Sequence, residues 1–278
     1  MLSKAAGITS AAPEYGAEFV KSLGEEALRE GDAARGEKVF RGTVTNCLSC
    51  HAIGGAGGKV GPDVSAVGTG LPVDLVIESV LWPNRQVKEG YSSTAVITKG
   101  DAIHQGFKVN EDKQTLILRD PNQEQPIRIA IADIKARKEI GSVMPEGLAN
   151  GLTRAELRDL IRFLCDLGKP GPFRAPDRPL VRRWLIADGA GRTTQKFSTV
   201  AGDLPREELG TSNDASFEVE VLHEGRFKLD ISPAGSPKSV ELSRGRHRIG
   251  IKVDSKAGPL KCEVTPESGS SAELRLLH

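Results

Sequence analysis

The sequence predicts an α+β chain: a helical N-terminal half interrupted by a β-meander at about residues 86–140, followed by an all-β sandwich. Three observations carry this. Apolar residues recur at helical spacing over Pro13–Asp32, Pro72–Asn84 and Thr153–Gly168. They alternate with polar residues over Tyr91–Asp133, and alternate again beyond a Pro/Gly-rich break at Gly168–Asp177. The expected organisation is an N-terminal helix and linker (1–31), a middle domain (32–172) and a C-terminal module (173–278).

Taken in order, Phe19, Val20, Leu23, Ala27 and Leu28 form the apolar stripe of the lead-in helix. Asp32 is a plausible N-cap for a second helix, "DAARGEKVFRG", which runs into the cysteines. Gly54–Gly70 is a glycine-rich loop; it follows no strand and lacks a Lys-Ser/Thr ending, so it does not read as a phosphate loop. Pro83 stops the next helix. Roughly four strands follow, punctuated at Lys99-Gly100-Asp101, Asn110-Glu111-Asp112 and Pro121-Asn122. Thr153 and Glu156 then form a capping-box pattern ahead of Leu157, Leu160, Ile161 and Leu164. Beyond the break, "VRRWLIA", "FEVEVLHEGRFKLDIS", "SVELSRGRHRIGIKVDS", "PLKCEVTP" and "AELRLL" read as strands.

Composition narrows the function. The 278 residues include 38 basic and 37 acidic side chains with no long run of either sign, which argues against a nucleic-acid or anionic-membrane surface. No apolar run reaches the length of a membrane span. The first residues, "MLSKAAGITSAAPEYG", lack the basic start, apolar run and cleavage site of an export signal.

The chemistry sits in "NCLSCHA", where Cys47-x-x-Cys50-His51 admits three readings. A structural zinc site wants four ligands, and the other cysteines, Cys165 and Cys262, are single and far apart. A thioredoxin-like dithiol follows a strand in a βαβ pattern, whereas this motif follows a helix. Covalent haem attachment needs two thiols for thioethers and a histidine directly after them for the iron; all three are present. That reading asks for a second axial ligand. The methionines are Met1 and Met144. Met144, in "SVMPEG" before an amphipathic helix, is either the distal thioether or a core residue filling a gap; beside the motif, ligation is the expectation.

Asp32–Leu167 closely resembles the single-haem c-type cytochrome domain catalogued from planctomycetes and verrucomicrobia. The resemblance rests on an ordered set: "ARGEKVF", "CLSCH", "GGKVGPDVSAVG", "IESVLWPNRQVKEGY", the meander, "SVMPEGL" and "LTRAELRDLIRFL". It implies a helical cytochrome c core with an inserted β-meander. It also implies one covalent haem c on Cys47 and Cys50, with iron ligated by His51 and Met144. The carbonyl of Pro62 would orient His51 through its other ring nitrogen. The resemblance further implies electron transfer rather than catalysis, a fused or partner dehydrogenase as electron donor, and a periplasmic or otherwise exported location. This sequence would then be part of a longer protein.

Weaker candidates surround this set. Trp82 and Tyr91 could pack on the macrocycle, and Arg85 and Lys88 could pair with propionates, although core packing and solvation serve them equally. His104, His223, His247 and His278 are expected at the surface. Cys165 and Cys262 are either a disulfide or two buried thiols. "LSRGRHRIGIKV" loosely resembles β-sandwich accessory domains, some of which bind sugars; Trp184, Phe197, Phe217 and Phe227 are expected to point inward instead. Two other classes stay open: a haem-based sensor or peroxidase-like enzyme with a displaceable distal ligand, and a binding module with an accessory haem.

Overall fold

The computed structural model of the chain describes residues 14–121, 123, 125–188, 190–233, 237–253 and 258–277. Met1, the rest of residues 1–13 and His278, named above, lie outside the described residues. The chain divides into two compact units, Met1–His51 with Gly58–Asp166, and Ala52–Gly57 with Leu167–His278.

In the first unit, α1 (Ala17–Glu30), α2 (Ala33–Arg41), α3 (Val67–Gly70), α4 (Val73–Leu81) and α5 (Arg154–Asp166) supply the helical part. Their starts follow local chemistry. The Asp32 side chain accepts the Arg35 N–H at 2.9 Å, capping α2. At α5 the Thr153 hydroxyl accepts the Glu156 N–H at 3.2 Å while Glu156 accepts the Thr153 N–H at 2.8 Å. The apolar stripe of α5 is buried over Leu157, Leu160, Ile161 and Leu164. Phe163 meets Phe40 of α2 with ring centroids 5.6 Å apart.

The same unit carries β3 (Ser92–Thr98), β4 (Ile103–Glu111), β5 (Thr115–Arg119), β6 (Ile127–Ala130) and β7 (Ile134–Ser142). They form an antiparallel sheet of order β6-β5-β4-β3-β7. Val96, Leu116, Leu118 and Ile129 make its apolar face. The last strand returns to pair with the first, Ser92 opposite Ser142.

The second unit contains the hairpin β1 (Ala52–Ile53) and β2 (Ala56–Gly57). Its larger part is β8 (Arg183–Ala187), β9 (Thr193–Phe197), a short α6 (Arg206–Leu209), β10 (Asp214–His223), β11 (Gly225–Ser232), β12 (Lys238–Leu242), β13 (Gly245–Lys252), β14 (Lys261–Pro266) and β15 (Glu273–Leu276). One sheet runs β13-β10-β8-β9 with β15 also on β10; the other runs β12-β11-β14. Trp184 and Phe217 from the first sheet and Phe227 and Val264 from the second share one buried core.

The expected fold class is thereby corrected. Among the described residues there are six α-helices and several sheets, and strand exceeds helix by 36% to 25%, so the class is β-rich α+β and not a helical cytochrome c core carrying an insert. The physical reason lies in two places. The meander gains a fifth strand, β7, and becomes a full sheet with its own apolar face. The glycine-rich stretch, read as loop, yields a strand hairpin and only a four-residue helix, α3.

Candidate functional site

The site begins at the end of α2. Gly42 accepts the Asn46 N–H at 2.9 Å, and Asn46 takes a left-handed conformation that turns the chain into a 3-10 turn over Cys47–Ser49. Cys50 and His51 both donate their N–H groups to the Cys47 carbonyl, at 3.1 and 2.9 Å. The motif is thus wound into a single turn. The glycine-rich stretch folds back over it: Gly58 donates to Leu48 O at 2.8 Å and Gly61 to Cys50 O at 2.8 Å.

His51 Nδ1–H donates to the Pro62 carbonyl at 2.9 Å. A carbonyl only accepts, so this bond places the proton on Nδ1 and leaves the Nε2 lone pair for a ligand. Gly61 makes the contact possible. A Cβ there would lie 2.5 Å from His51 Cε1 and 2.6 Å from Nδ1, closer than two atoms can sit without one moving.

Cys47, His51 and Met144 line one cavity, whose atom-free space is about 630 Å3 with its mouth included. The remaining wall is largely apolar: Phe40 of α2, Val76 and Val80 of α4, Leu160 and Leu164 of α5. Burial pushes the Cys47 thiol above the usual cysteine value. Cys50 is half-buried, its sulfur 3.6 Å from the Ser49 hydroxyl, and is not among the residues that line the cavity. Pro62 contributes through its carbonyl, behind His51.

The secondary candidates are engaged elsewhere. Trp82 packs edge-on against Tyr15 with ring centroids 5.2 Å apart, and Tyr91 lies tilted against Phe107 at 5.7 Å. Arg85 lies over the Tyr15 ring at 3.6 Å and pairs with Glu78 at 3.3 Å, while Lys88 stands 5.9 Å from the Tyr91 ring. His104 is half-buried on β4; His223 pairs with Glu273 at 3.0 Å and His247 with the Ser243 carbonyl at 2.7 Å. Cys165 and Cys262 are buried in different units and neither forms a disulfide. Burial pushes the Cys262 thiol up to about 12.

Sequence reasoning missed Asn84. Its side chain accepts the Ser142 N–H at 3.0 Å and donates to Glu146 at 3.1 Å, either side of Met144. The signal in the sequence was a polar residue directly after the helix-stopping Pro83. Its partners lie 58 and 62 residues away, and nothing local points to them.

Among the described residues, no group of three or more His, Cys, Asp or Glu comes together, and no helix is long and apolar enough to cross a membrane. No family model matches the chain, and no curated protein matches it.

Proposed function

We propose that the chain carries one covalent haem c and moves single electrons, with Cys47 and Cys50 as attachment sulfurs and His51 and Met144 as axial ligands. One observation supports this above the rest: Cys47 and His51 of the Cys-x-x-Cys-His turn border the same apolar cavity as Met144, with His51 presenting Nε2 because Pro62 holds Nδ1–H.

The residues present fit the group. A flat, largely apolar macrocycle suits walls of Phe, Val and Leu, and the bare glycine at position 61 leaves the His51 imidazole its place, which a Cβ there would take. When bound, haem would supply one-electron redox chemistry. This chain's contribution is to exclude water through the apolar wall, to fix the tautomer of His51 and to offer a thioether, which favours the ferrous form and raises the potential relative to two histidines. Were His51 and Met144 both to hold the iron, no position would be left for a substrate, which favours a carrier over an enzyme.

The resemblance of Asp32–Leu167 to the planctomycete and verrucomicrobial c-type cytochrome domains supports the same reading through its motifs. By that reading the protein is exported, since thioether attachment is made outside the cytoplasm, and it accepts electrons from a fused or partner dehydrogenase. For sugar binding by the second unit, Trp184, Phe217 and Phe227 offer no exposed stacking surface, being buried.

The test is expression in a host that attaches haem to such motifs. The wild type should keep its haem through acid–acetone extraction, show the weak ferric band near the red end of the spectrum that marks sulfur–iron bonding, and bind carbon monoxide slowly in the ferrous state. The double variant Cys47→Ala/Cys50→Ala should release any haem on extraction. Covalent haem in that variant, or none in the wild type, overturns the proposal. Rapid carbon monoxide binding by the wild type would move the protein to the sensor or peroxidase-like class.

A further inference from the structure

We propose that Asn84 is a positioning residue that straps Met144 into the wall of the cavity; the inference rests on the reading of Met144 as distal ligand.

The geometry is a closed set of three hydrogen bonds. Met144 follows β7 by two residues and precedes the 3-10 turn at Leu148–Gly151, so its segment has no ladder of its own. Asn84 Oδ1 accepts the Ser142 N–H at 3.0 Å. The Ser142 hydroxyl accepts the Met144 N–H at 3.1 Å. Asn84 Nδ2 donates to Glu146 Oε1 at 3.1 Å. One amide side chain therefore grips the chain two residues before and two residues after Met144, using its acceptor on one side and its donor on the other. Only an amide of this length has both groups.

The strap is anchored at the far wall. Asn84 stands three residues beyond α4, which lines the cavity with Val76, Ser79 and Val80. Pro83 prevents α4 from continuing and so sets where the amide projects. Across from it, Gly141 takes φ +86, and a Cβ there would sit 2.7 Å from Asn84 Oδ1. A side chain at position 141 would therefore be strained and would push the amide away. Val76 and Val80 on one side and Met144 on the other are thus held in register by one exposed residue.

Asn84 is exposed, so its replacement should leave the fold standing while loosening the segment. Losing one such bond corresponds to roughly a three- to tenfold change in local opening. In Asn84→Ala, hydrogen exchange at the Ser142 and Met144 amides should accelerate by about that factor, with or without haem, while α5 amides and thermal melting stay as in the wild type. In haem-loaded protein the sulfur–iron band should weaken, the potential fall, and ferrous carbon monoxide binding quicken by roughly tenfold. Asn84→Asp keeps the acceptor for Ser142 but sets a carboxylate against that of Glu146, so it should loosen the segment at least as much as Asn84→Ala. Gly141→Ala should resemble Asn84→Ala.

If the wild type shows the band and Asn84→Ala leaves band, potential and carbon monoxide rate unchanged, the strap is refuted and the ligand assignment stands. If the wild type lacks the band, Met144 is not the ligand and the proposal falls with it. A loss of helix content in Asn84→Ala matching the loss of the band would make Asn84 a general stabiliser and overturn the positioning role; Glu146→Ala, altering only the outer arm of the strap, checks this independently.

Discussion

At the scale of the residue, the constraint that bears directly on His51 is the space between it and Gly61. The imidazole lies where a Cβ of residue 61 would be, 2.5 Å from Cε1, and a neighbour at that distance must move. Overpacking of this kind costs about 1–3 kcal/mol, and the softer partner is the histidine ring. Gly61→Ala should therefore break the bond from Nδ1–H to Pro62 and lower the yield of haem-loaded protein several-fold, read by in-gel haem staining against total protein. Gly70→Ala is the control: a Cβ there meets nothing within 4 Å, and its yield should match the wild type. Pro62→Ala should do less than Gly61→Ala, because the group that orients His51 is a backbone carbonyl that alanine retains. Equal yields for all three would show that the His51 ring is not confined by this loop.

At the scale of the element, Asp159 ties the helices behind the site together. It is buried on α5 and accepts the Asp32 N–H at 2.9 Å and Arg35 Nε–H at 2.6 Å, joining the start of α2 to the middle of α5. Burial alone would raise its carboxyl, but the Arg35 guanidinium and the Asp32 amide outweigh it and hold the group below the usual aspartate range. A depressed folded value means stability present above the unfolded pKa of about 3.9 and lost as pH falls through the lower folded one. Asp159→Asn should cost about 1–3 kcal/mol at neutral pH in urea unfolding, since Arg35 is more than half exposed and part of the pair is screened. The difference from wild type should shrink below about pH 4; a gap that stays constant down to pH 2 would show that the carboxylate charge is not what holds the helices. Much of this level was legible in the sequence, because caps are local: Asp32 and the Thr153/Glu156 box need only neighbours three residues away. What escaped is paired over distance. β7 has no apolar period, with six of its nine residues exposed, since it lies along the edge of its sheet and faces water on most sides. The hairpin at Ala52–Gly57 has two residues per strand, too few for any periodicity, though Gly54-Gly55 between apolar neighbours was a turn signal. These two stretches add strand where the helix–motif–loop–helix order and the resemblance implied a helical core. The Cys-x-x-Cys-His turn was legible because its residues are contiguous; Asn84 was not, because what it does depends on a sheet edge laid beside it.

At the scale of the molecule, each unit encloses its own apolar side chains, so damage to one core should stay in that unit. Trp184 is the sharpest probe. Fully buried in the second unit, it meets Phe217 edge-on at 5.7 Å and donates its indole N–H to the Ser198 hydroxyl at 3.0 Å, which in turn donates to Val181 O at 3.1 Å. Trp184→Ala removes the ring and leaves a cavity, a change that costs about 3–5 kcal/mol in a closed core. Hydrogen exchange should then quicken through β8, β10 and β11 while the amides of α5 keep their protection. The informative segment is Ala52–Gly57, which follows His51 directly in the chain but belongs to the second unit. If it exchanges with β8 and β10, the residue after His51 takes its stability from the second unit, to which it belongs. If instead the hairpin keeps its protection while β8 and β10 lose theirs, its stability does not depend on the Trp184 core.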